Sequence, residues 1–270
     1  MDKKGVSLQA DLTVAPREGE QQTDEEEKMK ILAFNCSPKA EKANTSLILN
    51  PFLKGLENGG AEVELHYTRK LRIRPCSGDL HCWFQKPGVC IHQDDMQGLY
   101  PKLREADVWV FGTPVYFDGV SGSMKNLMDR LVPLILPFVE LRNGHCAHAR
   151  REGSKAGKVV LVSNCGFWEK DNFDPLLVHM KAFCRTIGRE FAGALLRPHG
   201  ETFKGFLELN RPVQDIVDAA ESAGRQLAQE GIMPERILSG VSREITPLDR
   251  FVATSNKICQ QHLDALEKKE

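Results

Sequence analysis

The sequence has almost no charge bias. Lys and Arg total 36 and Asp and Glu 37, a formal net charge of −1, so no global field draws the chain to nucleic acid or to an anionic membrane surface. Long hydrophobic runs are missing as well. The longest apolar candidate, Leu131 to Leu141, carries Pro133 and Pro137 and is too short to span a bilayer. No apolar stretch opens the chain, so no secretory signal is expected. There is no G-x-G-x-x-G of dinucleotide folds, no G-x-x-x-x-G-K-[ST] of nucleotide triphosphatases, and no internal repeat. Eight cysteines in 270 residues are too sparse for a disulfide framework, and several fall within apolar strand or helix patterns. A reducing, cytoplasmic setting is therefore expected, and the sequon Asn44-Thr45-Ser46 is not expected to be glycosylated.

What is present is the composition of a soluble globular chain, 41% hydrophobic and 27% charged, long enough for one or two domains. Residues 1–28 are polar, with Glu25, Glu26 and Glu27 in a row and no apolar period; they read as a disordered tail, with the folded part starting at Met29. The stretch that organises the rest follows. Ile31 to Phe34 form an apolar run of strand length, then comes a polar loop, and Asn44, Thr45 and Ser46 stand where a helix cap belongs, before Leu47, Ile48 and Leu49. A strand, a hydroxyl-rich loop with Ser37 and Lys39, and a helix start together suit an anion, because free N–H groups and the positive helix end face it. An ordinary capped helix after a strand fits the same residues.

From there strands and helices alternate. A strand over 30–35 leads to a helix over 45–57 that Gly59-Gly60 ends and Pro51 should kink. Val63, Leu65 and Tyr67 alternate with polar residues as an edge strand does. A cysteine-bearing loop covers 70–93, and Asp94 or Asp95 caps a helix to Glu105. Val108 to Phe111 is a buried strand with the loop 112–119 at its end. A helix is predicted from Ser121 to Leu136, then a polar loop with His145, Cys146 and His148. Strand 158–163, loop 164–168, helix 174–187 and strand 190–196 complete the pattern. This alternation predicts a parallel α/β sheet covered on both faces, of the flavodoxin-like three-layer type with five strands in the order 2-1-3-4-5. Its ligand belongs at the carboxyl ends of strands 1 and 3, where the winding reverses. Residues 29–200 are read as that domain and 201–270 as a helical C-terminal extension, with helices over 213–230 and 247–266.

Three strand-end loops carry a family resemblance. Asn35-Cys-Ser37-Pro-Lys39 with Asn44-Thr45-Ser46, then Thr113-Pro-Val-Tyr-Phe-Asp-Gly-Val-Ser-Gly-Ser-Met-Lys125-Asn-Leu-Met-Asp129-Arg130, then Ser163-Asn-Cys-Gly166 together resemble the NAD(P)H-dependent FMN reductases, and within them the iron–sulfur flavoprotein-like branch. The resemblance implies that Ser37, Lys39, Asn44, Thr45 and Ser46 hold the FMN phosphate. It implies that Pro114, Val115, Tyr116, Phe117 and Gly119 line the isoalloxazine ring, and that Ser163, Asn164, Cys165 and Gly166 complete the ring site. It further implies a homodimer or homotetramer, NAD(P)H as co-substrate, and a small acceptor such as a quinone, a nitro or azo compound, or free flavin. No catalytic side chain is expected, since the flavin carries the chemistry, and neither nucleic acid nor membrane is expected as a partner. Trp83 and Trp168 are candidates for stacking over the flavin. Lys125 and Asp129 are spaced for an i, i+4 ion pair.

Where that branch carries Cys-x-x-Cys-x-x-Cys and a fourth Cys, this sequence has Cys76-x-x-Asp79-x-x-Cys82 and then Cys90. Three readings stay open: an iron–sulfur cluster short of one thiolate, a Cys₃His zinc site using His81 or His92, or free thiols on a loop over the flavin. The last is the expectation, with no metal assigned. His145, Cys146 and His148 read as a solvated segment beside Arg150 and Arg151.

Overall fold

The computed structural model describes residues 28–268; the expected tail lies outside them except for Lys28. In chain order the elements are β1 (Lys30–Asn35), α1 (Ser46–Asn58), β2 (Glu62–Tyr67), α2 (His81–Phe84), α3 (Met96–Glu105), β3 (Val108–Pro114), α4 (Gly122–Asp129), β4 (Ile135–Arg142), β5 (His145–Arg150), β6 (Lys158–Asn164), α5 (Asp174–Ile187), β7 (Glu190–Arg197), α6 (Gly200–Glu208), α7 (Gln214–Glu230), α8 (Glu235–Ser242) and α9 (Leu248–Glu267).

Five strands form one parallel sheet in the order β2-β1-β3-β6-β7. Leaving the β4–β5 hairpin aside, this is the flavodoxin-like order 2-1-3-4-5. The two-residue period of the central strands builds two cores. Leu32 and Phe34, Trp109 and Phe111, and Val159 and Leu161 point to the layer holding α3, α4 and α5. Ile31 and Ala33, Val108 and Val110, and Val160 and Val162 point to the layer holding α1 and α7. The strands therefore read as continuous apolar runs, as burial on both faces requires.

Residues 201–242 do not stand apart from the sheet. Phe203, Ile216, Ala220, Leu227 and Val241 share the second core with β1, β3 and β6. Small residues set how closely α7 lies on α1: a Cβ at Gly224 would come within 2.0 Å of the Phe52 carbonyl oxygen, and one at Gly55 within 1.9 Å of that of Glu221. Of the four helices after β7, α9 alone contributes no buried residue. Helices α6 to α8 are thus part of the layer that covers this face of the sheet.

The expected helix over Ser121–Leu136 is shorter. It stops at Asp129, a single 3-10 turn follows over Val132–Leu134 with Pro133 inside it, and the chain then turns back on itself as the antiparallel pair β4–β5. Proline removes N–H donors that a helix here would need. Asn143 and Gly144 adopt φ of 51° and 78°, the two left-handed positions of a tight hairpin turn. The expected polar loop at His145–His148 is therefore a strand, and the Asn-Gly dipeptide between alternating apolar residues was its overlooked signal. Pro51 leaves α1 unbroken from Ser46 to Asn58.

Candidate functional site at the strand ends

The loop after β1 is held from beneath. Asn35 accepts the Ser37 N–H at 3.1 Å through Oδ1 and donates from Nδ2 to Ser46 Oγ at 2.9 Å. Ser46 in turn donates to the Ala40 carbonyl at 3.0 Å. Its hydroxyl is consumed inside the fold and ties the loop to the helix start. Thr45 occupies the cap position of α1, yet no side-chain cap bond forms there; its hydroxyl donates instead to Asn164 Oδ1 at 2.6 Å, joining the ends of β1 and β6. Among the described residues the N–H groups of Asn44 and Thr45 have no hydrogen-bond acceptor.

These loops enclose a cavity of about 230 Å³ at the carboxyl ends of β1, β3 and β6. Ser37, Lys39, Asn44, Thr45, Pro114, Val115, Tyr116, Asn164, Cys165 and Gly166 line it, and so does Glu201 from the first turn of α6. The sequence offered no signal for Glu201, which the fold brings to within 3.9 Å of Lys39 Nζ. Gly112 also went unnoticed: a Cβ there would lie 2.9 Å from Leu49 Cδ2 and 3.2 Å from Thr45 Cγ2, so its bareness lets α1 approach β3.

Four of the expected residues are not on this wall. Ser46 is engaged as described. Ser163 is buried and donates to the Thr113 carbonyl at 2.7 Å. Phe117 and Gly119 sit on a turn in which Tyr116 and Gly119 exchange backbone hydrogen bonds of 3.1 Å each. Phe117 and Asp118 have φ of 46° and 62° there, a costly conformation for non-glycine residues that often marks functional loops. The Phe117 ring is fully exposed at the rim.

Polar atoms are concentrated at the β1 end of the cavity and apolar surface at the β3 end. Ser37, Thr45, Lys39 and the two unpartnered N–H groups suit a phosphate, while Pro114, Val115 and Tyr116 suit a flat ring with polar edges. Burial pushes the Cys165 thiol up to about 11, so it stays protonated near neutrality and is no nucleophile there. The remaining flavin candidates lie elsewhere. Trp83 donates from Nε1 to the Ile135 carbonyl at 3.1 Å and packs on His148. Trp168 donates from Nε1 to the Thr246 carbonyl at 2.8 Å.

In the cysteine loop, Cys76 is exposed, Cys82 partly buried and Cys90 buried. The Cys82 thiol is raised above its ordinary value, first by burial and then by Cys90. The Asp79 carboxylate is spent locally, accepting the Ser77 hydroxyl and the His81 N–H. Arg130 fastens this segment with bonds to Asp94 at 2.6 and 3.0 Å and to the Arg74 carbonyl at 2.8 Å. Among the described residues no three His, Cys, Asp or Glu side chains are arranged to hold a metal ion. As placed, the loop does not fit an iron–sulfur cluster. All eight cysteines are free thiols, and Lys125 and Asp129 form the expected pair at 2.6 Å.

The doubly wound sheet with its cavity at the switch between β1 and β3 defines a flavodoxin-like protein. The chain belongs to the NADPH-dependent FMN reductase family, whose profile matches residues 29–170. An iron–sulfur flavoprotein of Methanocaldococcus jannaschii is 37% identical over 115 residues, covering 43% of this chain and 58% of that protein. One from Methanosarcina thermophila is 30% identical over 129 residues, covering 48% and 66%. The chain thus spans roughly half to two-thirds of the length of the curated relatives it matches. Two solved structures share the fold. An FMN-dependent NADH-azoreductase from Bacillus anthracis aligns with a TM-score of 0.52 at 14% identity, covering 74% of this chain and 99% of that one. An NAD(P)H:quinone oxidoreductase from Methanothermobacter marburgensis aligns with a TM-score of 0.53 at 16% identity, covering 74% and 96%. Among the described residues no helix is long and apolar enough to cross a membrane.

Proposed function

We propose that the protein binds FMN in the cavity at the ends of β1, β3 and β6. In this reading it is an oxidoreductase that takes reducing equivalents from NAD(P)H and passes them to a small acceptor such as a quinone, a nitro or azo compound, or free flavin. The observation that carries the reading is the single cavity shared by the anion-type loop after β1 and the apolar loop after β3. Ser37, Lys39, Asn44 and Thr45 would hold the phosphate. Pro114, Val115 and Tyr116, with Asn164, Cys165 and Gly166, would hold the ring and exclude water from one face. Bound FMN would supply hydride acceptance and electron delivery, so the chain's own work is placement and tuning. The proposal includes a reducing, cytoplasmic setting and a homodimer or homotetramer, in which the exposed rings of Tyr116, Phe117 and Phe167 offer contact surface near the flavin.

The test is spectroscopic. After reconstitution with FMN and gel filtration, the protein should keep the flavin absorbance and lose it on anaerobic addition of NADPH or NADH. Bound flavin that neither nicotinamide bleaches would leave only an electron-carrying or flavin-storing role. Iron and sulfide in excess of flavin would restore the cluster reading of the cysteine loop.

A further inference from the structure

Helix α9 is 20 residues long and buries none of them. Phe251 and Ser255 are half-buried, with the Phe251 ring 5.9 Å from that of His199. From Asn256 to Lys268 every residue is exposed. Helices in proteins gain most of their stability by packing an apolar face, and within one chain α9 has no such support over its second half.

The apolar face is nevertheless there. At 3.6 residues per turn, Leu248, Phe251, Val252, Ile258, Leu263 and Leu266 fall within an arc of about 140°, and no Asp, Glu, Lys or Arg of the helix enters it. Val252, Ile258, Leu263 and Leu266 are 46 to 62% exposed. A stripe of that width on a surface helix normally faces a core. The helix lies outside residues 29–170, which the family profile matches.

Charge and pattern select what covers the stripe. Residues 1–28 are polar with no apolar period, so the chain's own N-terminal segment offers no matching face. The polar side of α9 carries Asp249, Asp264 and Glu267 against Arg250 and Lys257. It therefore lacks the basic excess that holds an amphipathic helix on an anionic membrane. A second copy of the chain supplies the same uncharged stripe. Two such stripes, each about 30 Å long at 1.5 Å per residue, bury on the order of the 1,000 Å² that a specific interface needs.

We propose that α9 is an assembly arm that pairs in parallel with α9 of a second copy of this chain. The flanks of the stripe set the direction. Asp249 and Glu267 share one flank, whereas the opposite flank carries Thr254, Gln261 and Ala265. Antiparallel helices bring like flanks together, which would set Asp249 against Glu267 of the second copy, and flanking charges of one sign disfavour such a pairing. Parallel helices bring the acidic flank to the uncharged one and set each stripe residue, Cys259 included, beside its own counterpart. The proposal gives a surface to the homo-oligomer of the reading above and does not depend on FMN.

The test follows the full chain, with and without FMN, by sedimentation velocity between about 1 and about 100 μM, where an interface this small associates. Ile258→Glu combined with Leu263→Glu should halve the mass of the assembly and raise its dissociation constant about a hundredfold, since two carboxylates would enter an apolar seam. This double variant should keep its FMN content and melt within about 4 °C of the wild type, because α9 gives the core no buried residue. Lys257→Glu, on the far side of the helix, should leave association unchanged. Bismaleimidoethane, which joins two neighbouring thiols, should give a linked dimer of the wild type that Cys259→Ser lacks. A wild type that stays monomeric throughout overturns the pairing and the homo-oligomer reading together. Association as tight in the double variant as in the wild type overturns the pairing alone and leaves the homo-oligomer to another surface. Equal linking in wild type and Cys259→Ser overturns the parallel direction. A monomer that floats with phosphatidylcholine vesicles overturns the pairing and assigns the stripe to lipid.

Discussion

Thr45 and Ser46 are adjacent, chemically alike and buried, yet the structure separates them. Ser46 spends its hydroxyl on the loop scaffold, whereas Thr45 lies on the cavity wall and bridges to Asn164. Ser46→Ala should remove two buried hydrogen bonds, leaving the Asn35 amide its 3.4 Å bond to the Ala40 carbonyl, and cost about 1–2 kcal/mol of stability in urea unfolding, the net worth of such bonds. Thr45→Ala should instead release Asn164 at the cavity wall and weaken FMN about fivefold, the worth of one ordinary hydrogen bond, read by quenching of flavin fluorescence. Equal flavin loss in both variants would show that the hydroxyl next to the cavity has no special part. At this scale the residue types were legible from the sequence, but the direction of each hydroxyl was not. That direction depends on Asn164 and Asn35, which are contributed by separate strands.

Among elements, the cysteine loop is the one whose support was least visible. It depends on Arg130, read from sequence only as a neighbour of the Lys125–Asp129 pair, and on Asp94, read as a helix cap. Asp94 does accept the Met96 N–H at 3.2 Å, and it also forms a fully buried ion pair with Arg130. Burial by itself would raise the Asp94 carboxyl, but Arg130 and the Arg74 N–H hold it below the usual carboxylate value. A carboxylate with a depressed folded pKa contributes stability that is present above its unfolded pKa, about 3.9, and is lost as pH falls through the folded value. Unfolding followed from pH 7 to pH 3 should therefore show a loss at the acid end that Asp94→Asn lacks. At pH 7 Asp94→Asn should cost about 3–5 kcal/mol, because it leaves the Arg130 charge buried without its partner. A loss below 1 kcal/mol at pH 7 would show that the pair does not hold the loop. The hairpin that follows was missed for a different reason. Its apolar residues Phe138, Val139 and Leu141 are exposed, so no clean burial alternation marks it, and only the Asn-Gly turn betrays it.

For the molecule as a whole, the question is where the cooperative unit ends. Helices α6 to α8 share a core with the sheet, and α9 buries no residue. A chain ending at Pro247 should therefore keep its FMN content and melt within about 4 °C of the full chain, since about 1 kcal/mol shifts a protein of this size by a few degrees. A fall of 10 °C or more would place α9 inside the unit. The division at residue 200 read from the sequence came from counting strands for a complete sheet. The helix that covers the far face of that sheet arrives later, as α7, and the sequence has no means of showing that Gly55 and Gly224 meet.

The sequence by itself determined the parallel sheet and its strand order. Apolar runs of strand length alternating with amphipathic helices can bury both faces in few ways, and hydroxyls before a helix suit an anion. Tertiary structure alone decided which of those hydroxyls face the cavity, that Glu201 stands against Lys39, and that Arg130 reaches Asp94. It also decided that Asp79, in the resembled iron–sulfur loop, accepts the Ser77 hydroxyl and the His81 N–H. The physical reason is common to the first three. Local propensity and periodicity act between near neighbours in the chain, whereas a hydrogen bond or ion pair is made with whatever the packing brings within about 3 Å.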